Sequence, residues 1–325
     1  MKILIIQTAF IGDVVLATAL AEKLHAFFPE AQIDFLLRKG NEELLSTHPF
    51  IGQVLIWDKK KNKILNLLNT IVKVRKNKYD EVINVQRFLS SGLIAALSGA
   101  KEKTGFKKNP LSFLFTKRIA HEINGIHETE RNQRLIEHLT DKIAAKPKLY
   151  PSKKDFESFS SEYENYICVA PASVWFTKQW PKEKWTELID RTNSRIKIFL
   201  IGSSSDRSMC DSIIASSKKK NVENLAGELS LLQTAALMKN ANMNYANDSA
   251  AVHIASAMNA PITAVYCSTI PEFGFGPLSE KSFVVQVKEK LTCRPCGLHG
   301  KKSCPEKHFK CALTIDVDEL LTTNN

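Results

Sequence analysis

Apolar residues along this chain fall into short unbroken runs, separated by stretches in which they recur every three or four positions. The first run, KILIIQ at residues 2–7, has the pattern of a strand covered on both faces. Past Gly12 and Asp13, VVLATALAEKLHAFF spaces its apolar residues as one face of a helix does and predicts a helix over 14–28. Further strands are expected at 32–37, 54–57 and 81–86, with helices at 42–48, 64–76, 91–98 and 128–143. Residues 146–163 combine a proline, a serine-rich patch and mixed charge, and read as a linker. The series then restarts. Strands at 166–170, 196–201, 222–225, 243–247, 262–266 and 283–287 alternate with helices at 182–192, 206–218, 231–240 and 250–258, and a short helix follows near 316–321.

Strand–helix alternation of this kind is the signature of parallel α/β sheets. The 325 residues suit two such domains, expected at 1–160 and 161–325, better than one core. Two Rossmann-like halves whose strand ends face a shared cleft suit an enzyme that joins two substrates, one held by each half. The architecture alone names no reaction.

Charge narrows the partner. A net charge of +11 favours an anionic one: nucleic acid, a membrane surface or a phosphorylated substrate. Much of the excess lies in the run from Lys59 to Lys63, in 73–78 and in 101–118, tracts with few aromatics to stack on bases, so nucleic acid is not the expected partner. No apolar run reaches the roughly 18–20 residues that span a bilayer. The start, MKILIIQ, is strand-like and unlike a secretion signal, so the expected location is the cytoplasm. Seven cysteines, an odd number, argue against a disulfide framework.

The chemistry sits where strands give way to helices. Asp13 stands at the first such turn, as a helix N-cap or as a functional carboxylate at the sheet's carboxyl edge. No GxGxxG follows that strand and no GxxxxGK[ST] occurs, so dinucleotide redox and P-loop chemistry lose their main support. APASVWFTKQWP, residues 170–181, offers Ser173, Thr177 and Lys178 just before a helix: hydroxyls, N–H groups and an ammonium that suit a diphosphate. Its tryptophans equally suit a packed surface loop. NDSAAVH, residues 247–253, places Asp248 and Ser249 at a helix start, either as caps or as ligands of phosphate or sugar, with His253 one turn on. GSSSD ends in Asp206, a candidate ribose contact or a cap. Cys293, Cys296, Cys304 and Cys311 open with a CxxC pair, which structural zinc would accept; the later spacings lack a second pair, and reduced cysteines packing a basic loop are the alternative.

QTAFIGDVVLATAL, APASVWFTKQWP and NDSAAVHIASAMNAPITAVY, in this order, resemble glycosyltransferase family 9, the ADP-heptose:lipopolysaccharide heptosyltransferases. The cysteine-rich tail CRPCGLHGKKSCPEKHFKCALTI is similar to that of many members. The resemblance covers nearly the whole chain and implies a GT-B architecture and an inverting, metal-independent transfer without a cofactor. It implies Asp13 as general base on the acceptor hydroxyl, with Lys178 and Ser173 on the donor phosphates. It also implies Asp206 at the ribose, the Leu229 backbone at adenine, and Asp248 and Ser249 on sugar and phosphate, supported by His253. On the acceptor side, GIHETERNQRLIEHL places His127 and Arg131 one helical turn apart, facing an anionic acceptor; Arg87 and Lys60 join on composition. The implied partners are ADP-heptose, the lipopolysaccharide inner core and the inner face of the inner membrane. Ser249-Ala250 stands where the family often has Thr-Gly, and Val174 lacks a hydroxyl that some members carry. Two other readings remain: a GT-B-shaped sugar-nucleotide epimerase that needs no acceptor, and a non-catalytic nucleotide-sugar or polyanion binder.

Overall fold

The computed structural model describes residues 1–60, 62–123, 125–157 and 165–324. Lys61, within the expected basic run, and 158–164 of the expected linker lie outside the described residues. The chain forms two compact units, Met1–Tyr150 and Pro151–Asn325. The division falls ten residues before the expected boundary because α5 (Lys153–Glu157) packs on α8 (Leu231–Asn240) of the second unit.

The first unit holds β1 (Lys2–Gln7), β2 (Gln32–Arg38), β3 (Ile51–Trp57), β4 (Glu81–Asn84), β5 (Glu102–Phe106) and β6 (Lys117–Ile119), all parallel, in the order β3-β2-β1-β4-β5-β6. Its helices are α1 (Ile11–Phe27), α2 (Lys63–Lys76), α3 (Leu89–Ala96) and α4 (Glu128–Gln133). β1 is central and Ile3–Ile6 are fully buried, as its unbroken apolar run demands. β5 and β6 were not expected. EKTGF and KRI carry charge and little apolar run, and they belong to the sheet's outer side, where one face stays wet. Gly105 is required there, because a side-chain carbon would meet the Phe115 ring at 2.5 Å. The helix expected over 128–143 stops at Gln133, and the one over 42–48 is a 3-10 turn at Glu42–Leu45.

The second unit repeats the plan with β7 (Tyr166–Ala170), β8 (Lys197–Leu200), β9 (Val222–Asn224), β10 (Met243–Asn247), β11 (Ile262–Tyr266) and β12 (Ser282–Gln286) in the order β12-β11-β10-β7-β8-β9, again all parallel. Its remaining helices are α6 (Lys182–Arg191), α7 (Arg207–Ser216), α9 (Ala250–Met258), α10 (Lys310–Leu313) and α11 (Val317–Leu321). Both sheets follow the doubly wound order, in which the chain's direction of travel reverses beside the first strand. The crevices this creates lie at the carboxyl ends of β1 and β4, and of β7 and β10. The segments of Asp13 and Arg87 leave β1 and β4, those of Ser173–Lys178 and Asp248–Ser249 leave β7 and β10, and the Asp206 loop leaves β8 beside β7. Lys59 and Lys60, His127–Arg131 and Leu229 follow β3, β6 and β9, farther from the switch points.

Candidate active site

In the first unit, α1 begins at Ile11, three residues before its expected start. Phe10 is the N-cap, and Asp13 is the third helical residue, its Oδ2 accepting the Phe10 N–H at 3.1 Å. Asp13 is therefore not the N-cap; it closes the first turn from inside. Gly12 lies buried within that turn and does not form a separate loop. Burial, and then the negative charge of Glu128, push the Asp13 carboxyl up to about 6, against the pull of the Phe10 N–H and Arg38. A carboxylate so poised holds its negative charge at neutral pH while remaining a competent proton acceptor.

Cations stand at the successive strand ends of the same sheet edge, and two of them, Arg38 and Lys108, act on Asp13. Arg38 ends β2, its guanidinium 4.7 Å over the Phe10 ring; burial depresses it, and Asp13 opposes that. Lys59, just past β3, donates to the Thr8 carbonyl at 2.7 Å and to Thr8 Oγ1 at 3.2 Å. Burial, with Arg38 and Lys63 adding, pushes its ammonium down to about 8. Arg87, past β4, holds its guanidinium 5.4 Å over the exposed Phe88 ring. Lys108, past β5, is pushed down to about 8 by burial; Glu128 and Asp13 oppose the shift, and Arg87 and Arg131 reinforce it. The expected Lys60 stays exposed, and among the described residues of its run it is Lys59 that turns inward.

The His127–Arg131 pair differs from expectation. His127 is the N-cap of α4, its Nδ1 accepting the Thr129 N–H at 3.2 Å. Arg131 is fully buried, with Nε and Nη2 both 2.7 Å from Glu128 Oε2 and Nη1 donating to the Ile126 carbonyl. It does not face an acceptor from the surface; it fixes Glu128. Burial alone would raise Glu128, but His121 (3.5 Å away) and Arg131 outweigh it and hold the carboxyl below its ordinary range. Sequence reading missed Arg38, Lys108, Glu128 and His121. The signal for Arg38 and Lys108 was present: each is a basic residue at or just past a strand's carboxyl end.

In the second unit, the loop after β7 is held by Asn247 at the end of β10. Asn247 donates to the Pro171 carbonyl at 2.6 Å and accepts the Trp180 N–H at 2.9 Å. Gln179 Nε2 closes the loop on the Ser173 carbonyl at 2.6 Å. Lys178 Nζ is thereby placed 2.6 Å from Asp248 Oδ2, an oxygen that also accepts from Thr269 Oγ1 at 2.6 Å; the pair's side chains are only 15% and 8% exposed. Ser173 Oγ donates to the Asp248 carbonyl at 3.2 Å. Ser249 is the N-cap of α9 but its side chain makes no capping bond, so the hydroxyl is not spent on the helix. Ser173, Lys178, Asp248 and Ser249 thus come together at the start of α9, whose N–H groups and dipole favour an anion.

Three expected donor residues make structural contacts within this unit. Thr177 is buried: its Oγ1 accepts the Lys301 N–H at 2.7 Å and the Ser268 hydroxyl at 2.9 Å, tying the loop to the cysteine tail. Asp206 stands at the N-cap of α7 without a side-chain capping bond there; its Oδ2 accepts from Ser203 N at 2.8 Å and Oγ at 2.6 Å, closing the 3-10 turn Ser204–Asp206 instead. His253 is buried in α9, its ring edge-on to Phe275. Leu229 is half-buried just before Ser230, the N-cap of α8. Its loop is joined to that of Asp206 by a bond from Gly227 N–H to the Gly202 carbonyl at 3.0 Å. Gly227 has φ +79°, and a side-chain carbon there would sit 2.6 Å from Ser204 Cα.

In the tail, Cys293 Sγ lies 3.8 Å from His308 Nε2, and all four cysteines are reduced and line one small cavity. Among the described residues, no three His, Cys, Asp or Glu side chains are arranged to hold a metal ion. No helix among them is long and apolar enough to cross a membrane.

Two doubly wound parallel sheets, each with charged groups collected at its switch point, have the GT-B architecture. Residues 68–309 match the model of glycosyltransferase family 9 (heptosyltransferase), and the chain belongs to that family. It is 26% identical to lipopolysaccharide heptosyltransferase 3 of Escherichia coli K12 over 276 residues, covering 79% of this chain and 80% of that one. It is 24% identical to lipopolysaccharide heptosyltransferase 1 of Campylobacter coli, covering 99% and 97%. The solved structure of E. coli ADP-heptose LPS heptosyltransferase II superposes with a TM-score of 0.83 at 24% identity, covering 99% and 97%.

Proposed function

We propose that the chain transfers heptose from ADP-heptose to the lipopolysaccharide inner core, with inversion and without a metal, and that Asp13 is the general base. The observation that carries the reading is Asp13 itself: a carboxyl raised to about 6 at the first sheet's switch point, with the charges of Arg38 and Lys108 acting on it and Lys59 next to Arg38. Those cations suit an anionic acceptor, and the exposed Phe10 and Phe88, each under a guanidinium, suit one with an apolar part. The ADP-heptose donor is supported by the names of the relatives and by the diphosphate chemistry of the second unit.

In the reaction, Asp13 takes the proton from an acceptor hydroxyl as its oxygen bonds to the anomeric carbon. The bond from that carbon to the phosphate oxygen breaks on the opposite face, which inverts the centre, and ADP leaves with the electron pair. An ammonium has three N–H donors; Asp248 occupies one of Lys178's, and the others are available to the departing diphosphate. Together with the N–H groups of α9, Lys178 supplies the positive charge that a divalent cation would otherwise provide. His127 and Arg131 act through Glu128 and α4, not on the acceptor. In this reading the acceptor is a membrane lipid, and the proposed place of work is the cytoplasmic face of the inner membrane.

The test is mass spectrometry of products from ADP-, GDP- and UDP-sugars, each with and without a lipid A–inner core acceptor. Heptose added to the acceptor, from the adenine donor only, is the expected result. Donor turnover at the same rate without acceptor points to the epimerase reading, and binding without any turnover to the non-catalytic one.

A further inference from the structure

α2 has two apolar faces, and only one of them is used. Ile71 and Val74 are buried and Leu67 packs against them, which is sufficient to hold the helix on the sheet. Ile64, Leu65, Leu68 and Val72 lie on the adjoining face, turned about 100° from the buried one, and are 76, 56, 53 and 50% exposed. At 100° per residue these four fall within an arc of about 100°, a continuous aliphatic stripe facing solvent. Beyond Val72, Ile56 of β3 is also exposed and shares a shallow groove with it. Ordinary surface helices do not spend four large aliphatic side chains on water.

The charge around the stripe selects what covers it. KILNLLNTIVKVRK contains no acidic residue, and Lys73 and Lys76 line the groove beside Val72. The groove's one carboxylate, Asp58, is paired with Lys39 at 3.2 Å, so the lining keeps a net positive charge. A second copy of the chain would set these cations against themselves. A bilayer with anionic headgroups accepts both parts at once, the aliphatic stripe at the acyl boundary and the lysines at the phosphates. We infer that α2, with Ile56 beside it, is the surface by which the protein docks in the plane of an anionic lipid membrane. This deepens the reading of an enzyme with a membrane-lipid acceptor, but its test contains neither donor nor acceptor, so the two fail separately.

The test is co-sedimentation of the full chain with phosphatidylethanolamine–phosphatidylglycerol vesicles and with phosphatidylcholine vesicles. Wild type is expected to partition onto the anionic vesicles, roughly tenfold or more in preference to the neutral ones, and to be released by salt. The variant I64S/L65S/L68S/V72S changes exposed positions only, and its unaltered melting curve checks folding. It should lose on the order of tenfold or more in partitioning, and K73E/K76E roughly as much. The inference is overturned if wild type ignores anionic vesicles or binds both kinds equally. It is overturned equally if the four-serine variant binds as wild type does, or if wild type is a dimer in sedimentation that this variant splits.

Discussion

Lys178 and Asp248 form a pair whose structural and catalytic roles can be separated. Their side chains are 15% and 8% exposed, at 2.6 Å, and Thr269 Oγ1 also donates to Asp248 Oδ2. Lys178→Met removes the cation and leaves a buried carboxylate, a change that costs about 3 kcal/mol in comparable sites. For a unit the size of Pro151–Asn325 that corresponds to a fall in melting temperature of roughly 6–12 °C. The double variant Lys178→Met/Asp248→Asn no longer buries an unpaired charge and keeps an acceptor for Thr269, so most of that loss should return. Turnover should not return, because the ammonium meant for the diphosphate is still missing; a deficit on the order of 100-fold or more in kcat is expected. Differential scanning fluorimetry reads the first quantity and a coupled ADP-release assay the second. Recovery of turnover in the double variant would show that Lys178 serves only to neutralise Asp248. An unchanged melting temperature in the single variant would refute the buried-pair argument.

Other outcomes follow from the same geometry. The kcat/KM profile should lose activity as pH falls through about 6, where Asp13 gains the proton that blocks it as a base; a spectrum of rates from pH 5 to 8 locates the limb. Because the folded pKa of Asp13 lies above its ordinary value of 3.8, the fold is favoured below that value and loses this advantage as pH rises through about 6. Asp13→Asn should therefore be more stable than wild type at neutral pH, by about 1–2 kcal/mol after allowing for partial exposure, as urea titration can measure. Gly227→Ala forces a left-handed backbone and a 2.6 Å approach to Ser204 Cα, so a loss of about 2 kcal/mol or more is expected by the same titration. Thr177→Val strands the Lys301 N–H and should cost about 1–3 kcal/mol while altering kcat far less than Lys178→Met does.

The two-unit α/β plan was legible because central strands in parallel sheets must be apolar on both faces, and β1 and β7 are. β5 and β6 were illegible for the converse reason: outer strands need no such run, and Gly105 hides the Phe115 contact that fixes them. Lys178, Asp248 and Ser173 were grouped from sequence through the family resemblance, and they meet because their loops leave the neighbouring strands β7 and β10 at one switch point. Arg131 was misread because spacing tells which residues share a helix face but not whether the face is inward; Glu128, three residues before it, was the unread partner. Thr177 and Asp206 show the same limit. A hydroxyl or carboxylate before a helix has the right chemistry for a ligand and for the backbone, and only the coordinates show which of them it meets.

The most direct test of the central claim is Asp13→Ala, measured for donor affinity and single-turnover heptose transfer. The general-base role predicts an ADP-heptose Kd within about twofold of wild type and a transfer rate lower by roughly 100- to 10,000-fold. Transfer at the wild-type rate, or an equal loss in donor affinity and rate, would contradict it.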